Sequence, residues 1–245
     1  PVLLFLGFYN LVDIKAAVVS TNHAVVVYAD APNRRMGVET LLVEPPHDEA
    51  LVLRIERNDH GNARGNVRVT VVGLPTVTEG DRRRLEAAKL EATACLAFPD
   101  AERAQESSDA FIAAAELQDS IGDRLRSGTA LLHAAGVHYS RLAGWNTSAG
   151  LASRAESELR EAQAPLLSAF AARLQGSALS MVASSDELGP DSRLKLVRKA
   201  RKQLTAAAEQ FKALGNAYEA GYALNYLGVS YYEGGDPLQA RATFR

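Results

Sequence analysis

The chain has 245 residues, 47% of them apolar and 23% charged, which is the balance of an ordinary globular protein with enough residues for a sizeable core. Its net charge of −2 excludes the strong positive field that would favour nucleic acid or anionic membranes. The single cysteine, Cys95, excludes an internal disulfide and a thiolate metal cluster. Because no run of about 18 apolar residues occurs, the sequence predicts no transmembrane segment.

Residues 1–75 show the alternation of apolar and polar residues that is typical of β-strands. Leu51, Leu53 and Ile55 fall on one side of such a strand, whereas Arg54 and Glu56 fall on the other. The apolar start of the chain fits a first strand, and further strands are predicted near residues 11–19, 23–29, 38–44, 50–57 and 66–73. Segments rich in Pro, Gly, Asn and Asp separate them. This pattern predicts an antiparallel β-sandwich domain over residues 1–75, truncated at its N-terminus.

After Pro75 the composition changes to the Ala, Leu, Arg and Glu that favour helices. The sequence predicts helices in pairs, near residues 81–97 and 101–120, 123–143 and 148–163, 165–187 and 191–214, and 216–234 and 237–245. We therefore expect an all-α array of helical hairpins over residues 79–245. The chain stops inside the last predicted helix, which suggests that the array is truncated at its C-terminus.

Two of the predicted hairpins share their landmarks. Gly136 and Tyr139 correspond to Gly228 and Tyr231, each 92 residues later, and a Gly-Asx turn precedes both helices. One longer pair lies between these copies, and Ala207 and Phe211 in its second helix precede Ala240 and Phe244 by 33 residues. Such internal similarity is typical of a solenoid, in which neighbouring repeats bury a continuous core.

The last 22 residues carry the clearest motif. Large apolar residues, a glycine, a tyrosine, an alanine and a phenylalanine recur in the register of a tetratricopeptide repeat, at Leu224, Leu227, Gly228, Tyr231, Ala240 and Phe244. The turn Gly234–Pro237 supplies a helix stop, an N-cap and a proline for the first helical position. The segment thus resembles a tetratricopeptide repeat, and the resemblance implies a scaffold that holds a partner on its inner face.

The N-terminal region carries a second resemblance. The segment 24–44, followed by 50–74, is similar to a β-sandwich of the pre-peptidase C-terminal type. In front of a helical repeat array, it resembles the N-terminal part of bacterial tetratricopeptide proteins that end in a caspase-like CHAT domain. Cys95 does not match the catalytic cysteine of that family, whose His and Cys follow the repeats. The resemblance implies an alternative function, the regulatory or sensor half of a peptidase whose catalytic domain lies beyond residue 245, and it favours a periplasmic or exported location over a cytoplasmic one.

No catalytic motif is present in the sequence: it has no metalloprotease, nucleophile-elbow, P-loop or dinucleotide-binding pattern. His133 and His138 are five residues apart, or about 140° around a helix, so they cannot share a metal ion. The loop Asn58–Asn66 has too few carboxylates for calcium and is predicted to be a hairpin loop. We expect no enzymatic activity, cofactor or metal site in this chain.

Each hairpin consists of a first and a second helix. The predicted binding surface lies on the inner side of the first helix of the last hairpin. Tyr222, Asn225, Val229 and Tyr232 are offset from the packing residues, and two tyrosines with an amide suit an extended peptide. The 92-residue offset predicts equivalent positions in the earlier hairpin at Ala130, His133, Val137 and Ser140. The sequence thus favours a scaffold that binds a protein or peptide and not nucleic acid. The regulatory half of a peptidase and a surface-anchoring or carbohydrate-facing module are the alternatives, and the oligomeric state stays open.

Overall fold

The computed structural model describes residues 2–9, 14–20, 25–29, 38–43, 50–57, 66–73, 78–185 and 188–244. These residues divide into two compact units, Pro1–Gly122 and Asp123–Arg245. The first unit contains the strands and two helices, and the second contains helices among its described residues.

The described strands form two antiparallel sheets of three strands each. They are β1 (Val2–Tyr9), β2 (Ile14–Val19), β3 (Val25–Ala29), β4 (Val38–Val43), β5 (Val52–Arg57) and β6 (Asn66–Gly73). The strand orders are β4-β1-β6 and β3-β2-β5. Leu4 pairs with Leu41 on one side and Val71 on the other, and Val18 pairs likewise with Val27 and Leu53. The central strand β2 therefore supplies buried apolar residues, Ala16, Val18 and Val19.

The predicted fold class, with a separate antiparallel β-sandwich in front of the helices, is wrong. No β-sandwich is formed by the strands that the structure describes, and the first helix packs against β3 and β4 inside the same compact unit. The apolar side of the strand that guided the prediction is only partly covered, since Leu51 and Leu53 are half-buried and Ile55 is 37% exposed. Alternation shows that a strand has an apolar side, but it does not show whether a sheet or a helix covers that side.

Several early predictions fall in part outside the described residues. The predicted hairpin loop Asn58–Asn66 is described only at Asn66, where β6 begins, and the pre-peptidase-like segment 24–44 is described only at β3 and β4. The change from strands to helices does lie between Gly73 and Glu79. The domain limits 1–75 and 79–245 stay a prediction.

The predicted helices are confirmed to within a few residues. They are α1 (Glu79–Ala97), α2 (Ala104–Ser120), α3 (Arg124–Ser140), α4 (Trp145–Glu161), α5 (Pro165–Ala183), α6 (Pro190–Ala213), α7 (Ala217–Glu233) and α8 (Pro237–Thr243). A short 3₁₀ helix, Ala101–Arg103, precedes α2. Within the second unit successive helices pack on one another, and the first helices of the hairpins, α3, α5 and α7, are also neighbours. This packing is repeat-like and resembles a solenoid.

The turns explain why the helix bounds are readable from sequence. Three helices are each followed by a glycine with φ between 71° and 77°, a left-handed conformation that a Cβ would strain. The next residue in each turn is an Asp or Asn whose side chain accepts a hydrogen bond from the first turn of the following helix. These pairs are Gly122-Asp123, Gly215-Asn216 and Gly235-Asp236.

The core of the second unit is rich in alanine, which lets helices approach closely. Helix α7 packs on α5 and α6 through a cluster that includes Ala169, Ala207, Phe211, Ala220 and Ala223. Phe211 is completely buried, and its ring meets that of Phe170 edge-on at 5.0 Å. In the described part of the chain one helix, α5, is long and apolar enough to cross a bilayer; 67% of it is buried, and the core helix of a globular protein passes the same test.

Candidate functional site

Close helix contacts at glycines set the register of the hairpins. A Cβ built on Gly176 in α5 would lie 2.6 Å from Leu204 Cγ in α6, and one on Gly228 in α7 would meet the ring of Phe244. Since both glycines face their partner helix, α5 and α7 correspond residue by residue at an offset of 52. Phe170 then corresponds to Tyr222, and Arg173 corresponds to Asn225.

The predicted binding residues of α7 lie on its accessible side. Tyr222 is 44% exposed and Tyr232 is 70% exposed, Asn225 is exposed and Val229 is half-buried. They recur at helical spacing, so they form one stripe. The structure thus brings these four residues together at the surface.

The predicted equivalents in α3 are placed differently. His133, Ala130 and Val137 are buried, and Ser140 alone of the four is exposed. Burial lowers the pKa of His133 to about 4, so the imidazole is neutral near pH 7. His133 contributes to the interior of α3 and not to the surface stripe of α7.

A group of aromatic and charged side chains joins the accessible sides of the three first helices. We call it the tyrosine–arginine cluster, and it consists of Tyr139 on α3, Phe170 and Arg173 on α5, and Glu219, Tyr222 and Tyr226 on α7. The Tyr139 hydroxyl donates to the Tyr226 hydroxyl at 3.4 Å, and the rings of Tyr222 and Tyr226 meet edge-on with centroids 5.4 Å apart. Tyr218, which is 74% exposed, extends the aromatic surface by stacking on Tyr222 at 6.4 Å.

Arg173 is at the centre of the cluster. Its guanidinium carbon lies 5.5 Å from the centroid of the Phe170 ring and 5.1 Å from that of Tyr222, so both aromatic faces attract its charge. Its Nε is 3.5 Å from Oε2 of Glu219, and the two side chains are 19% and 15% exposed. This is an ion pair, but the separation is too long for a good hydrogen bond, and both atoms lack a hydrogen-bond partner.

Burial and charge together set the protonation of the cluster. Burial raises the pKa of the Glu219 carboxyl, and the positive charge of Arg173 offsets only part of this effect. The neighbouring Tyr226 phenol raises the pKa of Tyr222, and burial raises the pKa of Tyr226. Both phenols therefore keep their protons at neutral pH and present hydroxyl donors beside the arginine.

Sequence reasoning missed Arg173, Glu219, Tyr226 and the contact of Tyr139. The α5–α6 pair lacks the Leu-Gly-x-x-Tyr signature, so its register was not assigned. Gly176 was the signal that could have found it, because the offset of 52 residues places Arg173 on the stripe that was predicted from α7 alone.

The basic residues of α6 lie mostly on a solvated helix face. Lys195, Arg198, Lys199 and Lys202 are exposed. Arg201 differs, because its guanidinium lies 4.2 Å from the Tyr231 ring centroid and Nη2 donates to the Ser230 carbonyl at 3.0 Å. Arg201 therefore fastens α6 to α7.

Within the described ranges no three His, Cys, Asp or Glu side chains are grouped so that they could hold a metal ion. The chain was also compared with known proteins. No protein-family model matches it, and no curated protein matches it. The geometry of the tyrosine–arginine cluster is therefore the basis for a functional proposal.

Proposed function

We propose that the chain is a non-catalytic scaffold whose tetratricopeptide-like hairpins bind a peptide or protein partner on the accessible side of their first helices. The tyrosine–arginine cluster is the observation that carries this proposal. It combines side chains from three consecutive first helices at one surface, which is how helical repeats build an extended binding face.

The chemistry of the surface supports a peptide ligand. Tyr218, Tyr222 and Tyr232 are at least 44% exposed, and they combine apolar rings with hydroxyls that can hydrogen-bond a main chain. Tyr218 stacks on Tyr222 with ring centroids 6.4 Å apart, so these two exposed rings form one continuous apolar surface. Contiguous apolar surface rimmed by polar groups is typical of an interaction site.

A random-peptide phage display against the chain tests the proposal. Selected peptides are resynthesised with fluorescein, and their affinity is measured by fluorescence anisotropy for the wild type and for the variants Tyr222→Ala and Tyr232→Ala. We expect each variant to weaken binding about tenfold or more, because exposed tyrosines at the centre of an interface are frequent hot spots.

The variant Leu194→Ala is the matched control. The exposed fraction of Leu194, 46%, is close to that of Tyr222, 44%. Leu194 lies on the second helix α6 and not on the proposed face of the first helices. Its affinity should equal that of the wild type. A screen without binders, or peptides that lose as much affinity with Leu194→Ala as with Tyr222→Ala, would contradict the proposed function.

A further inference from the structure

The binding face contains an arginine whose hydrogen-bonding capacity is largely unused. A guanidinium carries five N–H donors in a planar fork. The one ion pair of Arg173 runs from Nε to Glu219 at 3.5 Å, and among the described residues no acceptor forms a hydrogen bond with its side chain. Buried donors are normally paired, so the buried Nε without a hydrogen-bond partner, next to an accessible surface, indicates an acceptor that comes from a ligand.

The surroundings fix the guanidinium in place. The rings of Phe170 and Tyr222 hold it at 5.5 and 5.1 Å, and its stem lies in α5, a helix with most residues buried. A stacked arginine loses little conformational freedom when it forms two parallel hydrogen bonds with a planar anion. The uncharged phenols of Tyr222 and Tyr226, whose rings meet edge-on at 5.4 Å, add polar groups to the same surface.

We propose that Arg173 is a carboxylate-binding site on the first-helix face, which anchors a carboxylate of the bound peptide through its guanidinium fork. The inference rests on the proposed peptide-binding function and names the chemistry that the partner must carry. A carboxylate matches the fork in shape and charge, whereas a ligand cation at the same place would meet the positive charge of Arg173. The carboxylate comes either from the C-terminus of the partner or from an Asp or Glu side chain.

The test uses the fluorescein-labelled peptides selected by phage display and changes one carboxylate at a time. Each peptide is made with a free C-terminus, with a C-terminal amide, and with each Asp or Glu replaced by Asn or Gln. We expect one of these changes to weaken binding to the wild type about tenfold or more, since a charged hydrogen bond contributes on that scale. If the C-terminal amide weakens binding, the carboxylate bound by Arg173 is the C-terminus of the peptide. If an Asn or Gln replacement weakens binding, it is the side chain of that Asp or Glu.

The variant Arg173→Met completes a double-mutant cycle, and it keeps an unbranched stem against the two rings. The carboxylate-to-amide change should have no further effect in this variant, whose fold is checked by circular dichroism and thermal melting. Peptides that bind the wild type and need Tyr222, yet tolerate removal of every carboxylate, would overturn the inference while the scaffold function stands. If no peptide binds, both proposals fail. If Arg173→Met does not fold, the peptide changes on the wild type decide the question.

Discussion

The hairpins α3–α4 and α7–α8 share their sequence landmarks, yet they offer different surfaces. At the positions matched by an offset of 92 residues, α7 exposes Tyr222 and Asn225, whereas α3 buries Ala130 and His133. The helices themselves have the same length of 17 residues. The difference therefore lies in how each first helix is rotated against its partner.

Close contacts show the rotation. In α3 the residues that face α4 are Gly128, whose added Cβ would lie 2.7 Å from Leu159 Cγ, and Ala135, whose carbonyl accepts a hydrogen bond from Ser148 at 2.9 Å. Gly136 meets nothing within 4 Å, so it is not the counterpart of Gly228. An offset of 93 residues matches Ala135 with Gly228. The α7 stripe then corresponds to Thr129, Gly136 and Tyr139, which are half-buried, and to Leu132, which is buried.

One residue of offset between the two copies therefore decides which side of the first helix is accessible. A shift of one residue turns a helical position by about 100°. Turn residues and tyrosines align copies only approximately, because turns differ in length, whereas a glycine at a close crossing marks one side of the helix. The rotation of α3 and the equivalence of the two hairpins can be tested with three sets of variants.

The largest expected effect is on the pH dependence of stability, and it comes from His133. This side chain is buried because α3 is rotated so that it faces the interior. Its pKa is about 4 in the folded chain against 6.5 as the ordinary value, so the unfolded state takes up the proton first as the pH falls. The stabilisation is complete above pH 6.5 and is lost between pH 6.5 and about 4, by about 3 kcal/mol in total. Urea unfolding at several pH values should show that His133→Gln loses less stability than the wild type over this window.

The variant His138→Gln is the control for this experiment, because it removes a half-buried histidine from the same helix and leaves His133 in place. It should keep the pH dependence that His133 causes. If His133→Gln and the wild type lose stability in parallel, the inward rotation of α3 is contradicted.

The second prediction separates the two glycines of α3. We expect Gly128→Ala to cost about 1–3 kcal/mol, because the new methyl group would collide with Leu159 at the crossing with α4. Gly136→Ala should instead increase the free energy of unfolding by about 0.5–1 kcal/mol, since open space surrounds it and alanine favours the helix. Thermal and urea unfolding of the two variants measure this difference. If Gly136→Ala lost more stability than Gly128→Ala, the 92-residue offset would be the correct one.

The smallest effect concerns the turn inside each hairpin. Ala143 has φ of 49° in the turn of α3–α4, and Gly235 has φ of 77° in the turn of α7–α8. Because a left-handed conformation costs a residue with a Cβ about 1 kcal/mol, Ala143→Gly should stabilise the chain by up to that amount and Gly235→Ala should destabilise it. Equilibrium unfolding in urea gives both values. Changes of the same sign in the two variants would show that the turns are not equivalent.

Local chemistry explains what the sequence could predict. The helix bounds followed from Gly-Asx turns and prolines at helix starts, such as Gly215-Asn216 and Pro237, which act within a few residues. The β-sandwich was wrongly predicted because the residues that cover a strand are distant in sequence. The tyrosine–arginine cluster was missed for the same reason, since Tyr139 and Tyr226 are brought together by the packing of three hairpins. In α5 the register is marked by Gly176 alone and not by a Leu-Gly-x-x-Tyr motif.

Photo-crosslinking determines whether the accessible side of the first helices is the binding face. A phage-selected peptide carrying a photoreactive phenylalanine is irradiated with the chain, and the crosslinked residues are located by mass spectrometry. We predict crosslinks on α5 and α7, around Phe170 and Tyr222, that excess unlabelled peptide removes. Crosslinks confined to the second helices α4 and α6, with none on α5 or α7, would contradict the account.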